Sequence, residues 1–217
     1  FVSTCSNYGV VKKNKIADEK TKLDPRSIYA KHKVMIEKYL ISKKIPKGTQ
    51  ITILRFSTAF GLSKRMRFDL TINQFVREIY LKNKIEVYDP HTWRPYCHVK
   101  DFAELMYQII INKNVKRKQI EIFNSGSSRN NFTKMMIVNK IKKYLKNFQL
   151  IIKKNSTDPR DYRVNFSKVK KVYKFAPKFS VENGIVEILK VIKIGKYKNL
   201  HKYKDQLGNY KIVKNVK

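Results

Sequence analysis

The chain has 217 residues, 42% apolar and 12% aromatic, which is enough to build a core and excludes an intrinsically disordered polypeptide. Two cysteines, Cys5 and Cys97, exclude a disulfide scaffold and fit a reducing cytoplasm; no signal-peptide pattern is present, and no apolar run approaches the roughly 18 residues of a membrane span. A formal charge of +33 points to a polyanion or a phosphorylated substrate as partner, yet lysine is spread along nearly the whole chain among Asn and Ile, as a compositional bias would also place it, so charge alone identifies no ligand.

In chain order, "FVST" predicts a short strand from Phe1 to Thr4, already under way where the chain begins, followed by the polar loop "CSNYG". Asp24-Pro25 can start a helix, with proline tolerated in the first turn, and the segment to about Ser42 carries apolar Ile28, Met35, Ile36, Tyr39 and Leu40. "IPKG" breaks it, and "ITILRFS" is the β-branched run expected of a strand buried in a parallel sheet. Strand, helix and strand in that order predict a βαβ unit and an α/β fold. Beyond the basic loop "LSKRMRFD" come a helix over about Leu70 to Lys82, a strand at "IEVYD", a helix at "HVKDFAELMYQIII" and a strand with its loop at "QIEIFNSGS". A helix over Thr133 to Asn147, a strand at "FQLIIKK" and helices over Ser167 to Tyr173 and Ser180 to Ile194 follow. Lys196 to Lys217 shows no clear period and reads as a loosely attached basic tail.

One candidate for chemistry is a tyrosine and a lysine four residues apart on a helix, Tyr29 and Lys33, which that spacing puts on one face. The spacing means nothing alone, because Tyr8/Lys12, Tyr39/Lys43, Tyr80/Lys84, Tyr96/Lys100 and Tyr210/Lys214 share it. What distinguishes Tyr29 is Ser3 and Thr4, at the C-terminal end of the first strand, where open α/β sheets present their ligand sites. A tyrosine with an ordinary pKa near ~10 is about one part in a thousand ionised at neutral pH, a handicap of roughly 4 kcal/mol for a phenolate base. An ammonium one turn away is expected to lower that pKa, and a Ser or Thr hydroxyl to orient the moving proton. With a nicotinamide cofactor taking hydride, such a group could oxidise or reduce a secondary alcohol.

The blocks "STCSNYG", "YAKHK", "ILRFSTAFG", "RMRFDLTINQF", "WRPYCHVKDFA", "IFNSGS" and "DPRDYRVNFSK" occur in this order between Phe1 and about Leu189. Together they resemble the extended short-chain dehydrogenase/reductases, and within them the NAD-dependent nucleotide-sugar epimerase/dehydratases such as UDP-glucose 4-epimerase. The resemblance implies the C-terminal part of a Rossmann-like parallel sheet plus a small α/β substrate-binding domain. It assigns residues 1–63 and 91–126 to the cofactor domain, 64–90 and 127–195 to the substrate domain, and 196–217 to the tail. It implies that Thr4, Tyr29 and Lys33 are the catalytic set: the tyrosine takes a sugar hydroxyl proton as hydride passes to NAD, and the lysine also bonds the nicotinamide ribose. A nucleotide sugar is the implied partner, a homodimer is admitted, and nothing calls for a membrane or nucleic acid.

The same resemblance puts Ser57 and Phe60 on the nicotinamide side of the cofactor and gives Arg94, Asp158, Arg160 and Arg163 to phosphate or ribose. Thr58 stands where many relatives carry an Asn near the sugar, and Arg65, Arg67, Asp69 and Asn73 lie at the entry to the substrate domain, Asp69 as a substrate contact. Sugar 4,6-dehydratases follow the catalytic Ser/Thr with Asp-Glu; here Cys5-Ser6 stands there, so an elimination would lack its acid and base, and an epimerase or simple oxidoreductase is favoured. Cys5 reads as a small packed residue, His98 as a packed, hydrogen-bonded histidine rather than a metal ligand, and Asn124 to Ser127 as a turn closing a strand. None of the seven glycines can form the glycine-rich turn that cradles a pyrophosphate, which the family places ahead of the Ser/Thr strand. These 217 residues are therefore expected to be a fragment with impaired cofactor binding, inactive alone. The competing expectations are a non-catalytic basic remnant that binds polyanions, and a reductase or dehydratase of the same family.

Overall fold

The computed structural model describes residues 1–112, 118–154, 158–197 and 207–208. The order is β1 (Val2–Thr4), a 3-10 turn (Cys5–Tyr8), α1 (Ile28–Ser42), β2 (Ile51–Phe56), β3 (Thr58–Phe60), α2 (Thr71–Lys82), β4 (Lys84–Tyr88), β5 (Trp93–His98), α3 (Val99–Ile111), β6 (Ile120–Ser125), β7 (Asn131–Thr133), α4 (Lys134–Lys142), β8 (Gln149–Lys153), α5 (Ser167–Tyr173) and α6 (Val181–Lys193). The expected βαβ unit is present, because β1 runs parallel to β2 with α1 between them and β6 completes the sheet as β1-β2-β6. All three strands end at the same edge, in Thr4, Phe56 and Ser125, with Thr4 level with Phe56 and Phe56 level with Ser125. The carboxyl edge of a parallel sheet is where α/β proteins place ligands.

Three strands were not anticipated. The run "ITILRFS" stays in the first sheet to its end, where Ser57 donates its N–H to the Ser125 carbonyl, and the next three residues leave as β3 to pair with β5. β5 carries Pro95, which cannot donate to a ladder. It pairs on either side of that break, antiparallel to β7 through Trp93–Pro95 and parallel to β3 through Tyr96–His98. β4 and β8 form a separate parallel pair.

The expected helix over 24–42 begins later, at Ile28. Ser27 provides the cap, its Oγ accepting from the Ala30 N–H, while the Asp24 carboxylate is taken by Arg26 and its N–H by the Asn7 carbonyl. The same loop demands a glycine at position 9, where φ is +61° and a Cβ would lie 1.8 Å from the Asp24 carbonyl oxygen. α1 also turns the opposite side inward from the one its apolar residues suggested. Ile28, Met35, Ile36 and Tyr39 are exposed, and the buried positions are Ala30, Val34 and Glu37.

Glu37 explains the inversion. Its carboxylate accepts from Arg55 Nη2 at 2.7 Å and Arg55 Nε at 3.1 Å, from Asn7 Nδ2 at 2.9 Å, and from the Ser3 hydroxyl. Arg55, on β2, also donates to Tyr8 Oη at 3.0 Å, and Tyr8 donates to Asn124 Oδ1 on β6 at 2.6 Å. Both members of the ion pair are almost wholly buried, so α1 is held to the sheet by a buried charged network rather than by an apolar stripe.

Apolar packing forms two clusters. One joins Cys5 and Tyr8 of the 3-10 turn, Leu54 and Phe123 of the first sheet and Leu105 of α3 to Tyr162, Val164, Phe166, Tyr173 and Phe175, a segment assigned above to the substrate domain. The other joins Phe60, Ile72, Phe75, Ile79, Tyr96, Ile137, Ile185 and Ile188 around α2, α4 and α6. The expectation of a loose tail is corrected where the tail is described. Tyr197 and Leu207 are buried in this second cluster, Arg77 Nε donates to the Tyr197 carbonyl at 3.1 Å, and the Phe68 N–H to the Leu207 carbonyl at 2.8 Å. Single anchors separated by polar residues carry no period, so the sequence pattern hid them; the remainder of 198–217 lies outside the described residues. No described helix is long and apolar enough to cross a membrane.

Removing one member of a buried pair leaves an uncompensated charge. Glu37→Ala is expected to destabilise by about 3–5 kcal/mol in urea unfolding, and replacing Glu37 and Arg55 together with Leu and Met to cost clearly less than the single change.

Candidate active site

Thr4 is the last residue of β1 and the cap of the 3-10 turn, its Oγ1 accepting from the Ser6 N–H at 3.1 Å. Tyr29 is in the first turn of α1, with its phenol close enough to the Thr4 side chain for that hydroxyl to act on its pKa. The two hydroxyls forecast as partners therefore meet at the carboxyl edge of the sheet. Tyr29 is half exposed and open to a ligand, whereas Thr4 is buried.

Lys33 is on the same face but is turned differently from the expectation. Its Nζ donates to the Val2 carbonyl at 2.7 Å and lies 5.7 Å from the centre of the Tyr29 ring. Tyr29 is not acidified: partial burial raises its phenol above the ordinary value, and the Thr4 hydrogen bond and the charges of Arg67 and Arg160 pull downward without overcoming it. The forecast of a lysine-lowered phenol is thus corrected: the charges that act on it are those of Arg67 and Arg160, while the Lys33 ammonium bonds the Val2 carbonyl.

Those two arginines belong to a basic rim. Arg160 donates to Asp158 from Nε at 2.6 Å and Nη2 at 2.8 Å, and from Nη1 to Ser6 Oγ at 2.9 Å. Arg94 is buried, donates to the Asp158 carboxylate at 3.2 Å and to the Trp93 carbonyl at 2.7 Å, and faces the Tyr162 ring. Burial pushes the Asp158 carboxyl up, but the Arg160 hydrogen bond and the charges of Arg94 and Arg160 outweigh it and hold the group well below the usual carboxylate range. Lys134 joins this cluster. Burial and the Arg94 charge lower its pKa, the Asp158 and Asp89 charges raise it, and its Nζ donates to the Tyr88 carbonyl at 2.7 Å. Arg67 pairs with Asp69 through two bonds of 2.7 and 2.6 Å. Asn73, offered above as a residue of the domain entry, is a buried tie: it accepts from the Gly61 N–H and donates to the Arg67 carbonyl, each at 3.0 Å, and so fixes the arginine's backbone.

Other forecast residues divide. Ser57 and the neighbouring Ser125 are buried at the ends of β2 and β6 with hydroxyls that have no hydrogen-bond partner, which suits the donor and acceptor needs of a nicotinamide carboxamide. Phe60 is corrected to a core residue: it is fully buried, edge-on to His98 with centroids 5.2 Å apart, and its ring carbon would lie 2.4 Å from a Cβ at Gly184. Thr58 heads β3 opposite Tyr96, partly buried. Arg163 does not join the rim; its guanidinium lies over the Trp93 ring at 5.3 Å and donates to the Lys13 carbonyl. Cys5 is buried, its thiol pushed up by burial and donating to the Arg55 carbonyl at 3.1 Å, as a packed residue would be. His98 caps α3 and pairs with Glu187 at 2.9 Å.

Ser6, Glu37 and Lys134 are the residues that the sequence reading missed. Glu37 had a signal, since it follows Ala30 and Val34 at helical spacing on the inward face. Ser6 and Lys134 had none, because their partners are distant in sequence.

The depressed Asp158 carboxyl gives a pH dependence. A group whose folded pKa lies below its unfolded value near ~3.9 contributes stability above that value and loses it as pH falls toward the folded value. Stability is therefore expected to fall as pH drops below about 5, with Asp158→Asn less stable at pH 7 and showing a shallower acid decline in urea titrations at several pH values.

Comparisons with known proteins bear on the family and the fold. An uncharacterized protein of Schizosaccharomyces pombe is 25% identical over 222 residues, spanning 87% of this chain and 59% of that protein. The dTDP-glucose 4,6-dehydratase of Bacillus anthracis, solved with NAD, superposes with a TM-score of 0.74 at 24% identity over 94% of this chain and 63% of its own. The UDP-glucose 4-epimerase of Thermotoga maritima, solved with UDP-glucose, gives 0.74 at 22% identity over 89% and 62%. At these identities the solved structures share the fold, and the chain spans less than two thirds of the length of each of these three relatives. The family model described as NAD dependent epimerase/dehydratase family matches residues 1–126, more than half of the chain and the whole of the first sheet with Thr4, Tyr29 and Lys33. The chain belongs to the NAD dependent epimerase/dehydratase family.

Proposed function

We propose that this chain is the catalytic part of an NAD-dependent nucleotide-sugar epimerase. The observation that carries the reading is the placement of Thr4 and Tyr29 beside each other at the carboxyl edge of a parallel sheet, flanked by a basic rim suited to a diphosphate.

Arg94 and Arg160, oriented by their shared Asp158, and Lys134 beside them, would take the diphosphate and bring the sugar against Tyr29. Tyr29 would accept the proton of one sugar hydroxyl, with Thr4 holding the two oxygens in line, and later return it to the same oxygen. NAD, when bound, supplies the acceptor for the hydride leaving that carbon and gives it back to the opposite face, so that configuration inverts with no net redox change. Ser57 and Ser125 would hold the nicotinamide end, and Lys33 its ribose. The two residues after Thr4 favour epimerisation over 4,6-dehydration: Cys5 is a buried thiol and Ser6 is held by Arg160, so neither position supplies a carboxylate. Residues 1–63 with 91–126 would serve the cofactor side, and 64–90 with 127–195 chiefly the substrate side.

Because the 217 residues contain no glycine-rich turn ahead of β1, they are expected to bind NAD weakly, with Kd above about 1 mM by calorimetry. In a protein that carries such a turn in front of Phe1, Tyr29→Phe is expected to lower the interconversion of nucleotide-sugar epimers by about 10²–10⁴-fold with the fold intact. Unchanged turnover in Tyr29→Phe would remove the basis of the proposal.

A further inference from the structure

The loop that carries Arg67 and Asp69 is held from two sides. It leaves the carboxyl end of β3 and runs into α2, and on the α2 side Asn73 closes it by accepting from the Gly61 N–H and donating to the Arg67 carbonyl. On the other side it is held by residues far along the chain. Phe68, between the two charged residues, is buried; its N–H donates to the Leu207 carbonyl at 2.8 Å, and its ring meets Tyr197 edge-on with centroids 5.4 Å apart. The Arg77 guanidinium of α2 lies 5.6 Å from the centre of the Phe68 ring and donates to the Tyr197 carbonyl at 3.1 Å, so Tyr197 is itself fixed to the helix that follows the loop. Tyr197 and Leu207 are buried in the same apolar cluster as Phe68 and Met66.

We propose that Tyr197 and Leu207 are positioning residues for the sugar end of the substrate: through Phe68 they set the Arg67–Asp69 pair against the sugar ring. The inference rests on the reading of the chain as a nucleotide-sugar enzyme and deepens it, naming a pair that meets the sugar and the distant residues that hold it in place.

Charge separates this pair from the diphosphate site. Arg94, Arg160 and Lys134 outnumber the carboxylates among them, Asp158 and Asp89, and leave the positive excess that a diphosphate needs. Arg67 and Asp69 cancel each other, joined by bonds of 2.7 and 2.6 Å. A joined guanidinium and carboxylate present donors and acceptors side by side with no net charge, which suits sugar hydroxyls that both give and accept a hydrogen bond. Nε and Nη2 of Arg67 are taken by Asp69, and the remainder of the fork is left for a ligand oxygen. Arg67 is partly exposed, and its charge acts on the Tyr29 phenol, the group that would receive the sugar proton. Because Arg67 and Asp69 are the chain neighbours of Phe68, a shift of that ring moves both, and a displacement of about 1 Å is enough to lose a hydrogen bond.

The test is calorimetric titration of the chain with UDP-glucose and, separately, with UDP, which lacks the sugar. Tyr197→Ala and Leu207→Asp are expected to weaken UDP-glucose binding by about three- to tenfold and to leave UDP within about twofold. Tyr197→Phe, which keeps the ring, is expected to bind UDP-glucose as the unaltered chain does. Arg67→Gln is expected to show the same selective loss, with Tyr197→Ala costing nothing more when added to it, because both changes remove one contact. A general loosening of the fold would weaken both ligands alike and add to Arg67→Gln; either result, or no loss at all, overturns the inference. A second reading needs no substitution. In the unaltered chain UDP-glucose is expected to slow exchange of the Phe68 amide hydrogen more than UDP does at equal saturation, and to leave unchanged the Gln149 amide, bonded to the Asn83 carbonyl beyond the other end of α2. Equal slowing of Phe68 by the two ligands overturns the inference as well. A chain that binds neither ligand defeats the proposed function and this inference with it, whereas binding of both with no dependence on Tyr197 and Leu207 defeats this inference alone.

Discussion

The buried ion pair between Glu37 and Arg55 is the constraint on which the arrangement depends. It joins the inward face of α1 to the middle strand of the first sheet and recruits Ser3 from β1, Asn7 and Tyr8 from the following turn and, through Tyr8, Asn124 from β6. Thr4 is next to Ser3, and Tyr29 is two turns before Glu37 on the same helix. The network that fixes the helix on the sheet thereby fixes the distance between the two hydroxyls that meet. An apolar helix face could have packed in several registers; a carboxylate that must receive three different donors has far fewer. Ala30 and Val34 fill the rest of the contact, and their small size lets the helix approach closely enough for the pair to form.

Above that network the chain brings together groups that are far apart in sequence. Asp158 takes two arginines, Arg94 from the start of β5 and Arg160 from the segment after β8, and its depressed carboxyl records their combined field. Charge is concentrated there in a way that the overall excess of lysine obscures. The +33 balance, spread along the chain, says little about function, whereas Arg94, Arg160 and Lys134 gather around one aspartate.

How much was legible follows from the range of the interactions. β1, α1 and β2 were visible because a β-branched run, a helix and another run lie in order, and Tyr29 with Thr4 was visible because both flank that unit. α6 was visible from its cap at Ser180 and its strong amphipathic spacing. β3, β5 and β7 were not, since they are three to six residues long, one carries Pro95, and each owes its existence to partners elsewhere. Phe60 and Arg163 were misassigned for a related reason. A block of sequence carries a family role to a position, but Gly184 and Trp93, remote in the chain, decide which way those side chains turn. Lys33 lies on the face of Tyr29 as its spacing implied, and its bond to the Val2 carbonyl was not foreseen, because a backbone carbonyl has no signature in sequence.

The central claim is that a nucleotide sugar sits with its diphosphate on the Arg94–Arg160 rim and a sugar hydroxyl against Tyr29. The most direct measurement is a crystal structure of this chain soaked with UDP-glucose. The account predicts diphosphate density beside both guanidiniums and a sugar oxygen within about 3 Å of the Tyr29 hydroxyl. Density elsewhere on the surface, or a sugar turned away from Thr4 and Tyr29, would contradict it.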